Sequence, residues 1–94
     1  MKLAWSVLVR KELEEIRRFS VARWGRPVAV RYLEDVRDAA KRLADMPELA
    51  RPLRRELRIF RVRSHYLIVH VDEDKDRLAI ARVLHVAMDI ERHL

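Results

Sequence analysis

The chain has 94 residues, half of them hydrophobic and 38% charged, which makes one small domain (1–94) and excludes a second folded unit. It has no cysteine, which excludes a disulfide framework and a thiolate metal site, while a single glycine and three prolines argue against disorder. Lys and Arg total 21 against 15 acidic residues, a net charge of +6 that suits acidic partners, nucleic acid and acidic protein alike, and equally suits the plainer reading of a solvated basic surface.

Lys2 to Trp5 has strand character, and Ser6 stands where a hydroxyl caps a helix that follows. Val9, Leu13, Ile16, Ser20 and Trp24 then recur at helical spacing, with Lys11, Glu12, Glu15 and Arg18 on the other side. Gly25 ends this helix, the spacing predicting a left-handed residue there, and Pro27 opens the next. The second helix carries Val28, Tyr32, Leu33, Val36, Ala40 and Leu43 on one stripe and stops near Asp45. So short a connection folds the two helices into an antiparallel hairpin with one apolar face to cover. Met46 to Arg55, holding Pro47 and Pro52, reads as a crossing loop with at most a helical turn.

From Leu57 the period changes to alternation: Leu57 to Arg63 and His65 to Val71 are two strands, Asp72 to Asp76 is a polar turn, and Arg77 to His85 is a third. Met88 to Leu94 suits a short helical turn with Asp89 near its start. The expected fold is α+β: a strand, a two-helix hairpin and a three-stranded antiparallel meander. The N-terminal strand is expected at an edge or beside the last strand. Leu13, Ile16, Trp24, Tyr32, Val36, Leu43, Ile59, Leu67, Val69, Ile80 and Leu84 are the core candidates.

No apolar run approaches the roughly 20 residues of a membrane span, and Met1 to Ser6 lacks a signal peptide's apolar stretch, so a cytoplasmic protein without membrane contact is expected. His65 and His70 fall on opposite faces of their strand, no His, Asp or Glu spacing suggests a metal cage, and the lone Gly25 forms no phosphate loop; no cofactor is expected. Trp5, Phe19, Trp24 and Phe60 read as core rather than as platforms for nucleic-acid bases. The basic stretch Arg51, Arg54, Arg55, Arg58, Arg61 and Arg63, broken by Glu56, is the strongest charge feature and a candidate site for an acidic partner.

Several segments in order carry a resemblance: Glu14-Glu15-Ile16, Arg23-Trp24-Gly25, Tyr32-Leu33, Met46 through Pro52, Phe60-Arg61-Val62 with Ser64-His65, and Arg82 through His85 followed by Met88 to Leu94. Together they resemble the ParE family of bacterial toxins within the RelE/ParE superfamily, over nearly the whole chain. The resemblance implies the toxin of a type II toxin–antitoxin pair of the plasmid-stabilisation kind, neutralised by a ParD-like antitoxin in a heterotetramer or larger assembly. It also implies DNA gyrase as the target, inhibited by binding. RelE-like relatives instead cleave messenger RNA on the ribosome, and a non-toxic basic RNA-binding module is a third reading.

Cleavage of RNA needs an acid, a base and cations to hold the phosphate. For that reading the residues are His85 with Arg61 and Arg82, but no Tyr follows His85, which weakens it and makes direct nucleic-acid binding the lesser expectation. A structural role for His85 at the strand end is at least as natural as catalysis. For antitoxin binding, the groove along the hairpin seam and the residues Arg58, Arg61, Arg63 and Arg82, then Arg17 and Tyr66, are the expected contacts.

Overall fold

Ser6 caps the first helix as its position predicts, its Oγ accepting the Val9 N–H at 3.1 Å from an extended backbone. In the computed structural model, which describes residues 1–94, the elements are β1 (Lys2–Trp5), α1 (Val7–Trp24), α2 (Arg26–Asp45), β2 (Arg51–Arg54), β3 (Leu57–Val62), β4 (His65–Asp72) and β5 (Arg77–His85). Single 3-10 turns lie at Pro47–Leu49 and Ile90–His93. Gly25 alone joins the helices, donating its N–H to the Val21 carbonyl at 2.9 Å. Its φ of 88° and ψ of 166° correct the left-handed helical conformation expected from sequence: this extended, positive-φ region is open essentially to glycine alone.

The sheet runs in the order β1-β5-β4-β3-β2. β2 to β5 are antiparallel neighbours and β1 joins β5 in parallel, so the N-terminal strand is both at an edge and beside the last strand, in a mixed sheet. The loop expected over Met46 to Arg55 is corrected: its second half is β2, paired with β3. Pro52 hid this strand, because proline is excluded from central strands yet tolerated at an edge, where β2 sits with an irregular register. No helix is long and apolar enough to cross a membrane.

The apolar pattern divides between two cores. On the helix-covered face, Val9, Val36, Ala40, Leu43, Leu67, Val69, Leu78 and Ile80 are fully buried together. Each large aliphatic there contributes about 1.5–3 kcal/mol by leaving water. On the opposite face Ile59, Ile68 and Leu84 form a smaller core against Leu53, Leu57, Tyr66 and Ile90. Ile68 is buried although its neighbours Leu67 and Val69 point the other way, which is why β4 reads as a continuous apolar run.

The core expectation holds for Val36, Leu43, Ile59, Leu67, Val69, Ile80 and Leu84, while Leu13, Ile16 and Tyr32 are half-buried. It fails for Trp24, which is 53% exposed, and the same correction applies to Phe19 at 62%. Both lie in the last turns of α1, where the hairpin overhangs the end of the sheet, and their rings meet edge to face at 5.8 Å.

Candidate functional site

The overhang leaves a concavity of about 420 Å³ between the tip of the hairpin and the sheet end formed by the β3–β4 turn and the last residues of β5. Ile16, Phe19, Trp24, Val83 and Met88 give it an apolar wall, and Tyr32, Ser64, His65 and His85 a polar one, with Glu12 and Glu15 at its rim. Its size lies within the range of clefts that bury a ligand or a partner's side chains. Met88, like Phe19 and Trp24, is about half exposed.

The polar wall is a connected network. Tyr32 Oη accepts the Ser64 N–H at 3.1 Å and shares a hydrogen bond with His65 Nδ1 at 2.6 Å. The His65 ring packs edge-on against Tyr32 and against His85, at 5.5 and 5.2 Å, because His65 and His85 are direct neighbours across β4 and β5. Burial, and secondarily the nearby His85, lowers the pKa of His65 to about 4, so its ring is neutral at physiological pH. His85 Nδ1 accepts the Ala87 N–H at 3.0 Å. Arg63 lies over the Tyr32 ring at 5.4 Å and pairs with Asp35.

The arginines named from sequence are dispersed. Arg82 binds Glu12 through Nε and Nη2, at 3.0 and 2.9 Å, and donates Nη1 to the His93 carbonyl at 2.8 Å. Glu12 Oε1 also accepts the Val83 N–H at 2.9 Å, standing in for a strand beyond the point where β1 stops alongside β5. Arg58 is half-buried and donates to the Ala50 carbonyl, and the exposed Arg61 donates to the Arg63 carbonyl, both at 2.8 Å. Arg17 pairs with Glu14 on α1, and that hydrogen bond holds the Glu14 carboxyl down to about 2. Tyr66 is opposite Arg61 in register and packs on the smaller core.

The strand register puts Arg61 on the sheet face opposite His85. None of the arginines from 51 to 63 lines this groove, and the site contains instead Tyr32, Ser64 and His65, which sequence reasoning did not assign to it. One signal was available: a Tyr on a helix stripe and two histidines placed at a strand start and a strand end, each unremarkable until β4 and β5 are paired in register.

Comparison with known proteins follows the same lines. The sequence profile described as the ParE toxin of the type II toxin–antitoxin system, parDE, matches residues 3–90. Among curated proteins none matches the chain. The fold is similar to a chain of the chromosomal ParDE toxin–antitoxin system from P. aeruginosa, with a TM-score of 0.81 at 20% identity over 92% of this chain and 96% of that one. It is also similar to a chain of the RelBE2 toxin–antitoxin complex from Mycobacterium tuberculosis, with a TM-score of 0.69 at 21% identity over 89% and 95%. With the family profile spanning nearly its whole length, the chain belongs to the ParE family of toxins of type II toxin–antitoxin systems.

Proposed function

We propose that this ParE-family chain acts by binding, that its target is DNA gyrase, and that a ParD-like antitoxin neutralises it by filling the groove between the hairpin tip and the sheet end. The observation that carries the binding reading is that the nuclease candidates do not converge: the strand register sets Arg61 on the sheet face opposite His85. Arg82 is in addition committed to Glu12 and the His93 carbonyl. General acid–base cleavage requires those groups to converge on one phosphate. The groove supports the antitoxin reading, because exposed Phe19, Trp24 and Met88 beside polar donors are what a folding-on-binding tail buries. The family resemblance supports gyrase as the target.

Expression with and without the antitoxin gene tests the toxin role directly. The expected result is growth arrest with DNA-damage signalling relieved by the antitoxin, and loss of gyrase supercoiling or trapped cleaved DNA with purified protein. Ribosome-dependent cleavage of messenger RNA that disappears in His85→Ala would refute the binding reading. Salt-sensitive RNA affinity without toxicity would mark a plain RNA-binding module instead.

A further inference from the structure

The groove at the hairpin tip differs in charge from the rest of the molecule. The chain has 21 Lys and Arg residues, yet none lines this groove, whereas arginine lines each of the three other sizeable concavities. Glu12 and Glu15 are the carboxylates in the lining. Glu12 is engaged by Arg82 and the Val83 N–H. Glu15 is exposed and forms no ion pair within the chain, its neighbour Glu14 taking both Arg17 and Arg18. The groove therefore presents one free negative charge in a molecule whose net charge is +6.

Aromatic rings stand beside that charge. Glu15 and Phe19 are four residues apart on α1, so the carboxylate and the ring share one helix face. Phe19 and Trp24 are both more than half exposed, and their ring planes cross at 78°, which turns a π-face in each of two directions. The chain's own guanidiniums show what such rings attract: Arg23 lies over Trp24 at 5.8 Å and Arg63 over Tyr32 at 5.4 Å, and neither arginine is in the groove lining. Arg63 is neutralised by Asp35, Arg23 is exposed to water, and burial keeps His65 uncharged, so little positive charge is left to repel a cation.

We propose that the groove at the hairpin tip is a binding site for a small organic cation of the alkylguanidinium class. Its head lies between the Glu15 carboxylate and the rings of Phe19 and Trp24, and its aliphatic chain on Ile16, Val83 and Met88. The carboxylate supplies the charge pairing and can accept two parallel N–H bonds from a planar guanidinium. The rings add cation–π attraction, which grows as water leaves the head group. A volume of about 420 Å³ falls at the lower end of the range of small-ligand clefts, which suits a ligand of this size. Phosphates and other anions are poor occupants, because they meet Glu15 with no Lys or Arg in the lining to hold them. The inference stands on the groove alone and holds whether or not an antitoxin fills the same space.

The test titrates the full chain, isotope-labelled, with n-butylguanidinium and, in parallel, with n-butylurea, a flat neutral molecule of the same shape. Saturable binding with a Kd of about 10 mM or tighter is expected for the cation, with NMR shifts at Phe19, Trp24 and Met88. The urea is expected to bind about tenfold or more weakly. Glu15→Gln should weaken binding of the cation by about threefold or more, and Trp24→Leu by about fivefold or more. Glu14→Gln should bind as wild type does, since that carboxylate pairs with Arg17 and Arg18 and is not in the groove lining. Four results would overturn the proposal: no saturation by about 10 mM; equal binding of the urea; equal binding by Glu15→Gln; or shifts centred away from the groove. N-acetyl-arginine methylamide binding more than about tenfold tighter than n-butylguanidinium would overturn it too, by moving the site from a free small molecule to an arginine carried by a partner protein.

Discussion

Replacing Glu12 with alanine removes two hydrogen bonds from one carboxylate, the Val83 N–H on Oε1 and the Arg82 Nε–H on Oε2, together with the ion-pair contact of Arg82 Nη2. The pair is well covered, with side-chain exposures of 13% for Glu12 and 22% for Arg82, so water replaces the lost partner only in part. An uncapped, partly buried N–H costs about 1–3 kcal/mol. Stripping the counter-charge from a buried guanidinium costs up to about 3–5 kcal/mol, and Arg82 falls below that because it keeps the His93 carbonyl and some solvent. These effects overlap, and a combined destabilisation of about 3 kcal/mol is expected, equivalent to a fall in Tm of roughly 12–24 °C for a domain of this size. Glu12→Gln keeps an acceptor for Val83 while losing the charge, and should cost about half as much. Urea unfolding followed by tryptophan fluorescence measures both, and a double-mutant cycle with Arg82→Met separates the ion pair from the strand cap. If the unfolding free energies of Glu12→Ala and wild type differ by less than about 0.5 kcal/mol, the carboxylate is not acting as the missing strand and the reasoning is wrong.

Three further outcomes follow from the same physical terms. The His65 pKa is depressed in the folded state, so between its ordinary value near 6.5 and about 4 the unfolded chain binds the extra proton. Stability is then complete above the upper value and declines as pH falls through this window, by about 1–2 kcal/mol after allowing for the ring's partial exposure, and His65→Gln should flatten the profile measured by denaturant titration at each pH. Gly25→Ala meets only ordinary contact, at 3.9 Å from Pro27 Cδ, so its expected cost of about 1–3 kcal/mol is conformational and should appear in thermal unfolding. Trp24→Ala should change stability by less than about 1 kcal/mol, since the ring is half exposed, yet weaken binding of the cognate antitoxin by about 2 kcal/mol or more in calorimetry; unchanged affinity would exclude Trp24 as an anchor of that interface.

The helices and the meander were legible because each rests on a local signal: the Ser6 cap, Gly25 before Pro27, and the change from helical spacing to alternation at Leu57. β2 was not, because its pairing with β3 comes from tertiary context and Pro52 argues against any strand that is not at an edge. Trp24 fell on the apolar stripe by spacing alone, and spacing carries no information about where the sheet beneath a helix ends. The site suffered most, for a similar reason. Arg58 and Arg61, three residues apart on one strand, leave it on opposite faces, and Arg82 finds its partner 70 residues away in Glu12. Tyr32, His65 and His85 come together only through strand register and hairpin docking, neither of which leaves a mark on any one segment.

The parallel pairing of Lys2 with Arg77 gives the molecule a particular order of assembly. During synthesis the helical hairpin can form from its own residues, but β1 has no strand to join until β5 has been made, and the histidine pair does not exist until His85 is in place. A nascent chain released from the ribosome early therefore carries the exposed helices without the sheet that completes the groove. Binding competence arrives in one late step rather than gradually, and a partner that recognises the finished groove meets either a complete site or none.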